Sequence, residues 1–175
     1  IIMSKIAIII PSRLDAVRLP NKPLELINKK EMILHVYEAA KKIDPEVYVA
    51  TPDQKIIDVM NHNKGKAVFT SVDHQTGTDR VYEVFKDHLK SKPNLIINLQ
   101  GDMPNIEPQA ISDLISHMKE GTCDIGTLAS SFSSDDELAN ENNVKVAVEE
   151  KLSDGKFSKA IDFFRKDSDE YENYY

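Results

Sequence analysis

Short, unbroken apolar runs alternate with amphipathic helical patterns along most of this sequence, and that alternation leaves few folds open. Lys5 to Ile10 (KIAIII) has no polar face, so a strand there must be covered on both sides. Leu95 to Leu99 (LIINL) reads the same way, and Val47 to Ala50 and Ala67 to Phe69 are shorter examples. Between them, Met32, Ile33, Val36, Ala40 and Ile43 recur at helical spacing, predicting a helix over 31–43. Thr51-Pro52-Asp53 opens a helix that buries Ile56, Ile57 and Met60. Residues 79–89 form a third helix with Val81, Val84, Phe85 and His88 or Leu89 inward. Pro108 opens a fourth, burying Ile111, Leu114, Ile115 and Met118. Ile125 to Ala129, Val144 to Val148 and Phe157 to Ile161 are further expected strands, the last after a Ser-Asp-Gly turn over 153–155. Strand–helix alternation implies right-handed crossovers and a three-layer α/β architecture with a mostly parallel sheet, read as one domain over 1–175.

Charge and cysteine usage exclude several functions. A net charge of −7 lacks the positive field that a general binder of nucleic acid or acidic membrane needs. Cys123 is the only cysteine, so neither an internal disulfide nor a multi-cysteine zinc site is open to the chain, which suits a reducing cytoplasm. No apolar run reaches membrane-spanning length.

The chemistry gathers in three loops, each directly after an expected strand. In an open parallel sheet, ligands bind at the carboxyl ends of strands, so these loops should line one crevice. The first, Pro11 to Pro23, carries three of the eight prolines and the cations Arg13, Arg18 and Lys22. Preorganised cations on a stiff loop suit a triphosphate. The loop is neither GxxxxGK[ST] nor GxGxxG, which argues against a P-loop or a dinucleotide fingerprint. The second, Thr70 to Arg80, contains Gly77, which permits close backbone approach to a planar ligand, and Thr78, which can cap the following helix. Arg80 is a poor match to the helix dipole at that helix start, and a ligand-facing role explains it. His74 reads as a structural hydrogen-bonding residue. The third, Gln100 to Pro104, places Asp102 after a buried strand and a glycine, a common way to hold Mg²⁺ near phosphates. Gln100 can meet a sugar hydroxyl or satisfy backbone.

The stretches IPSR…RLPNKPL, HQTGTDR, NLQGDMP and NVKV, in this order and spacing from Lys5 to about Ile161, resemble the CMP-KDO synthetase (3-deoxy-manno-octulosonate cytidylyltransferase) family. The first stretch alone is shared with sialate cytidylyltransferases. The resemblance implies a Rossmann-like nucleotidyltransferase fold, a cytoplasmic homodimer and Mg²⁺ as cofactor. It further implies CMP transfer from CTP to the anomeric hydroxyl of KDO, a step of lipopolysaccharide biosynthesis, with release of pyrophosphate. By the same resemblance Arg13 and Lys22 hold the triphosphate with Arg18 in support, Thr78 and Arg80 read cytosine, and Asp102 binds the metal. Gln100, Asn142, Lys145 and Lys159 are then the sugar-binding residues.

This chain departs from the family at Ala16, where a phosphate-loop serine is usual, at Asn21 for a frequent glycine, and at Met103 for a glutamate. Lys159 stands for an arginine, and a lysine cannot grip a carboxylate as a bidentate fork. Family members continue for roughly another third of this length, so the chain is expected to be C-terminally incomplete. A transfer enzyme for another acidic, sialate-like sugar and a non-catalytic CTP-binding module are the alternative readings.

Overall fold

The computed structural model describes residues 5–15, 19–153, 155–166 and 170–175. Where the alternation reads as one domain, the chain groups into two compact units, Ile1–Thr122 and Cys123–Tyr175.

In the first unit, strands β1 (Ile6–Pro11), β4 (Val47–Thr51), β5 (Ala67–Phe69) and β6 (Leu95–Asn98) form one wholly parallel sheet in the order β5-β4-β1-β6. The reason for the unbroken apolar runs is visible in β1. Ile8 and Ile10 point into a core shared with helices α1 (Met32–Lys41), α2 (Gln54–His62) and α4 (Pro108–Lys119). Ile9, between them, packs on the opposite face against Ala50 and against Val81 and Val84. Alternate side chains leave opposite faces of a strand, so a strand covered on both faces has no position for a polar residue. The expected three layers are present.

The third helix differs from its sequence pattern at both ends. The helix after β5 is α3 (Gly77–Glu83), and its cap is Thr76 rather than Thr78. Thr76 Oγ1 accepts from the Asp79 amide at 3.1 Å and the Asp79 carboxylate accepts from the Thr76 amide at 3.1 Å, a reciprocal capping box. Past Glu83 the helix widens into a π turn over Val84–His88, which leaves His88 exposed. Lys92 Nζ accounts for part of that ending, donating to the carbonyls of Phe85 and Lys86.

A small antiparallel hairpin, β2 (Leu26–Ile27) and β3 (Lys30–Glu31), lies between β1 and α1 and was not expected. Its two-residue turn puts Asn28 and Lys29 at φ 50° and 67°, the left-handed conformation that matches strand twist in tight hairpins.

The second unit holds a short helix α5 (Asp135–Ala139), capped by Ser134, and an antiparallel pair, β7 (Lys145–Val148) and β8 (Ala160–Phe164). Ile125 to Ala129, expected as a strand, is not one. No ladder pairs it among the described residues, and Ile125 is 87 % exposed. The last expected strand is displaced from 157–161 to Ala160–Phe164, because its register is set by pairing with β7 rather than by its own pattern. The turn expected over 153–155 lies partly outside the described residues.

Candidate active site at the switch between two strands

Strand order supplies the position of the site. From β1 the chain builds outward through β4 to β5, with α1 and α2 on one face; it then crosses to β6 on the other side of β1, with α3 on the opposite face. The loops leaving β1 and β6 therefore diverge, and a crevice opens between them at the carboxyl ends of the strands. A cleft of about 250 Å³ lies there. All three loops singled out in the sequence contribute to it, through Arg13 and Lys22, through His74 to Gly77 and Arg80, and through Gln100 to Asp102.

Two glycines let these loops approach one another. A Cβ on Gly77 would come within 3.2 Å of the Pro11 ring, and one on Gly101 within 3.1 Å of the Pro11 carbonyl oxygen. Gly77, near the end of the second loop, and Gly101, at the start of the third, thus both pack closely on Pro11. This packing gives Gly77 a structural reason of its own, and the residue also lines the cleft. The first loop is tied at Leu14, whose amide donates to Asp53 Oδ2 at 2.8 Å, from just beyond β4. Asp53 is spent on that loop and makes no cap bond to α2. Further along, Asn21 sits at φ 60°, a left-handed conformation that glycine adopts freely and asparagine tolerates better than most residues.

The electrostatics favour an anion. Arg13, Lys22 and Arg80 line the cleft against a single carboxylate, Asp102. Lys22 Nζ and Asp102 Oδ2 are 2.9 Å apart, with both side chains well exposed to solvent. Arg13 makes no ion pair with any described residue. Arg80 is only 3 % exposed; one guanidinium nitrogen donates to Thr70 Oγ1 and to the Ser71 carbonyl, the latter at 2.8 Å. Burial pulls its pKa below the ordinary arginine value, and the nearby Arg13 charge adds to that. With Arg13 and Lys22 also lining the cleft, the local excess of positive charge suits a phosphate.

Glu83 organises the 70–76 wall. Its carboxylate accepts from the Ser71 amide at 3.0 Å and from His74 Nε2, and His88 lies 3.8 Å away. Burial by itself raises the Glu83 pKa, but the hydrogen bonds from His74 and Ser71 outweigh it and the net shift is downward from 4.5. A carboxylate whose folded pKa is depressed adds stability above its unfolded pKa and loses it as pH falls through the folded value. Urea midpoints measured from neutral pH into the region below 4.5 should therefore fall more steeply for the native chain than for Glu83→Gln. Parallel acid limbs for the two proteins would remove Glu83 from this account.

Gln100 lines the cleft and donates to Asn98 Oδ1 at 3.0 Å. Thr78 is exposed and absent from the cleft lining, and its hydroxyl accepts from Asn98 Nδ2 at 3.4 Å. Arg18 and Ala16 lie outside the described residues. Asn142, Lys145 and Lys159 belong to the second unit. There Lys145 is fully buried, its Nζ donating to the carbonyls of Asn140 (3.3 Å) and Arg165 (2.5 Å). Lys159 pairs with Glu149 at 2.9 Å, and the Asn142 side chain donates to Asn140 Oδ1 at 3.1 Å. Sequence reasoning passed over Ser12, Asp53 and Glu83. Asp53 and Glu83 carry no motif signal, whereas Ser12, directly after a buried strand and before Arg13, could have been flagged.

Among the described residues, no three His, Cys, Asp or Glu side chains gather to hold a metal, and no helix is long and apolar enough to cross a membrane. Asp102 nevertheless fits one mode of Mg²⁺ binding. Mg²⁺ keeps several waters and is usually held by one or two carboxylates plus substrate phosphates, and Asp102 is an accessible oxygen donor among phosphate-seeking cations.

The family profile described as Cytidylyltransferase matches residues 7–175. A 3-deoxy-manno-octulosonate cytidylyltransferase of Thermodesulfovibrio yellowstonii is 42% identical over 148 residues, 81% of this chain and 58% of that protein. An 8-amino-3,8-dideoxy-manno-octulosonate cytidylyltransferase of Shewanella piezotolerans is 36% identical over 173 residues, 97% of this chain and 71% of that protein. A solved CMP:2-keto-3-deoxy-manno-octonic acid synthetase, complexed with CTP, matches with a TM-score of 0.82 at 38% identity, over 93% of this chain and 65% of its own. A 4-diphosphocytidyl-2C-methyl-D-erythritol synthase from Anaerococcus prevotii, at TM-score 0.54 and 11% identity, shares the fold alone. The chain thus spans between 58% and 71% of the length of these two curated relatives.

Proposed function

Because the chain belongs to the cytidylyltransferase family, we propose that it transfers CMP from CTP to the anomeric hydroxyl of 3-deoxy-manno-octulosonate, in the cytoplasm and as a homodimer, feeding lipopolysaccharide biosynthesis. The observation that carries this reading is the convergence of three cationic or acidic loops on one cleft at the β1/β6 switch point. In the proposed reaction the sugar oxygen bonds to the α-phosphorus, the α–β bridging bond breaks, pyrophosphate leaves, and the hydroxyl proton passes to solvent. Little covalent chemistry falls to the protein, so positioning and charge stabilisation do the catalysis.

Arg13 and Lys22 would hold the β- and γ-phosphates, Lys22 turning from Asp102 to a phosphate oxygen. Arg80 would support the base side of the cleft from its buried position. Asp102 would hold Mg²⁺, which when bound neutralises phosphate charge and orients the triphosphate. Asn142, Lys145 and Lys159 remain candidates for the sugar by resemblance; Lys145 would need to release its backbone carbonyls to serve.

The complete gene product should release pyrophosphate only when CTP, the octulosonate and Mg²⁺ are all present. Turnover with sialic acid and none with either octulosonate would overturn the substrate assignment. A preference for ATP or GTP over CTP would overturn the nucleotide assignment.

A further inference from the structure

We propose that the Ser12 hydroxyl is a hydrogen-bonding partner of the nucleoside half of the bound nucleotide, an inference that rests on the CTP reading of the cleft. Among the described residues, Ser12 Oγ is the one buried side-chain polar atom without a hydrogen-bond partner. The residue is 7 % exposed and lines the cleft. Its backbone is held, since its amide donates to the Ala50 carbonyl at 2.9 Å and so continues the β1–β4 ladder by one residue. The Cα–Cβ bond is thereby held, and no local backbone group takes the hydroxyl, although serine readily bonds to its own neighbours. A buried hydroxyl left unpaired is destabilising, and an alanine would fill the same space without that cost. The group is thus unmet by the protein itself in the lining of the cleft.

Its chemistry selects which part of the ligand it meets. The charged groups of the cleft, Arg13, Lys22 and Asp102, suit the triphosphate and its cation. Ser12 is neutral and both donates and accepts, which suits a ribose hydroxyl or the polar edge of a base. It sits between Pro11, which is packed against Gly77 and Gly101, and Arg13, which brings the first of those cations.

The test is calorimetry of the native chain and Ser12→Ala with CTP, CMP and inorganic tripolyphosphate, all with Mg²⁺, together with thermal unfolding of both proteins without nucleotide. Loss of one neutral hydrogen bond should weaken CTP and CMP alike by roughly three- to tenfold and leave tripolyphosphate unchanged. The nucleotide-free variant should unfold at the same temperature or higher, since it discards an unpaired polar group. Unchanged CTP affinity in Ser12→Ala, or an equal loss on tripolyphosphate, overturns the inference. No CTP binding by the native chain would instead overturn the reading it rests on.

Discussion

Replacing Asp102 with asparagine is expected to lower CMP transfer by the complete gene product on the order of 100- to 1,000-fold, the equivalent of ~3–4 kcal/mol of transition-state stabilisation. Among the described residues Asp102 is the single carboxylate lining the cleft, so no neighbour there can supply another anionic oxygen ligand. The fold should not suffer. The Lys22–Asp102 pair is well exposed, and such pairs contribute only about 0–1 kcal/mol. Binding separates the roles further: in the native chain, CTP affinity should fall when Mg²⁺ is removed, whereas in Asp102→Asn it should be weak with or without the metal. Pyrophosphate-release rates and calorimetry at several Mg²⁺ concentrations read both effects. Native-like turnover in Asp102→Asn would place the metal elsewhere.

Arg80→Ala should be the most damaging change for the cleft as a structure, costing about 2–4 kcal/mol in urea unfolding. The side chain is almost wholly buried, and its removal leaves the Thr70 hydroxyl and the Ser71 carbonyl without their donor. Those two residues begin the segment that Glu83, one turn further along α3, also holds through the Ser71 amide, so CTP binding should fall with stability. Arg80→Lys is the informative companion. It keeps a cation but not the planar guanidinium, so most of the loss should remain. An Arg80→Ala protein as stable as the native chain would mean that the arginine is held for the ligand alone.

How much of this was legible in one sequence depends on whether the signal was local. The central strands and helices α1, α2 and α4 were, because burial on a sheet imprints unbroken apolar runs and burial of a helix imprints a 3.6-residue period. The three site loops were legible too, since strand ends are where a parallel sheet binds ligands and residues such as Arg13, Lys22 and Asp102 stand out there. Helix α3 began two residues early because two threonines compete for its cap, and only Thr76 has Asp79 three residues on to close the box. The β2–β3 hairpin escaped notice because Asn28-Lys29 lacks the glycine that usually marks such a turn.

Sequence alone determined the layering, the parallel sheet and the places along the chain where charge would collect, all of which depend on residues within a few positions of one another. Tertiary structure decided what those residues meet. Strand order put the β1 and β6 loops on either side of a crevice, and Pro11 packed against two distant glycines to bring the loops together. Long-range partners gave Asp53 to Leu14 and Glu83 to His74, and left Ser12 without one. Residues 125–129 lack a strand for the same reason: a strand needs a neighbouring edge, and no pattern within five residues can state whether one is there.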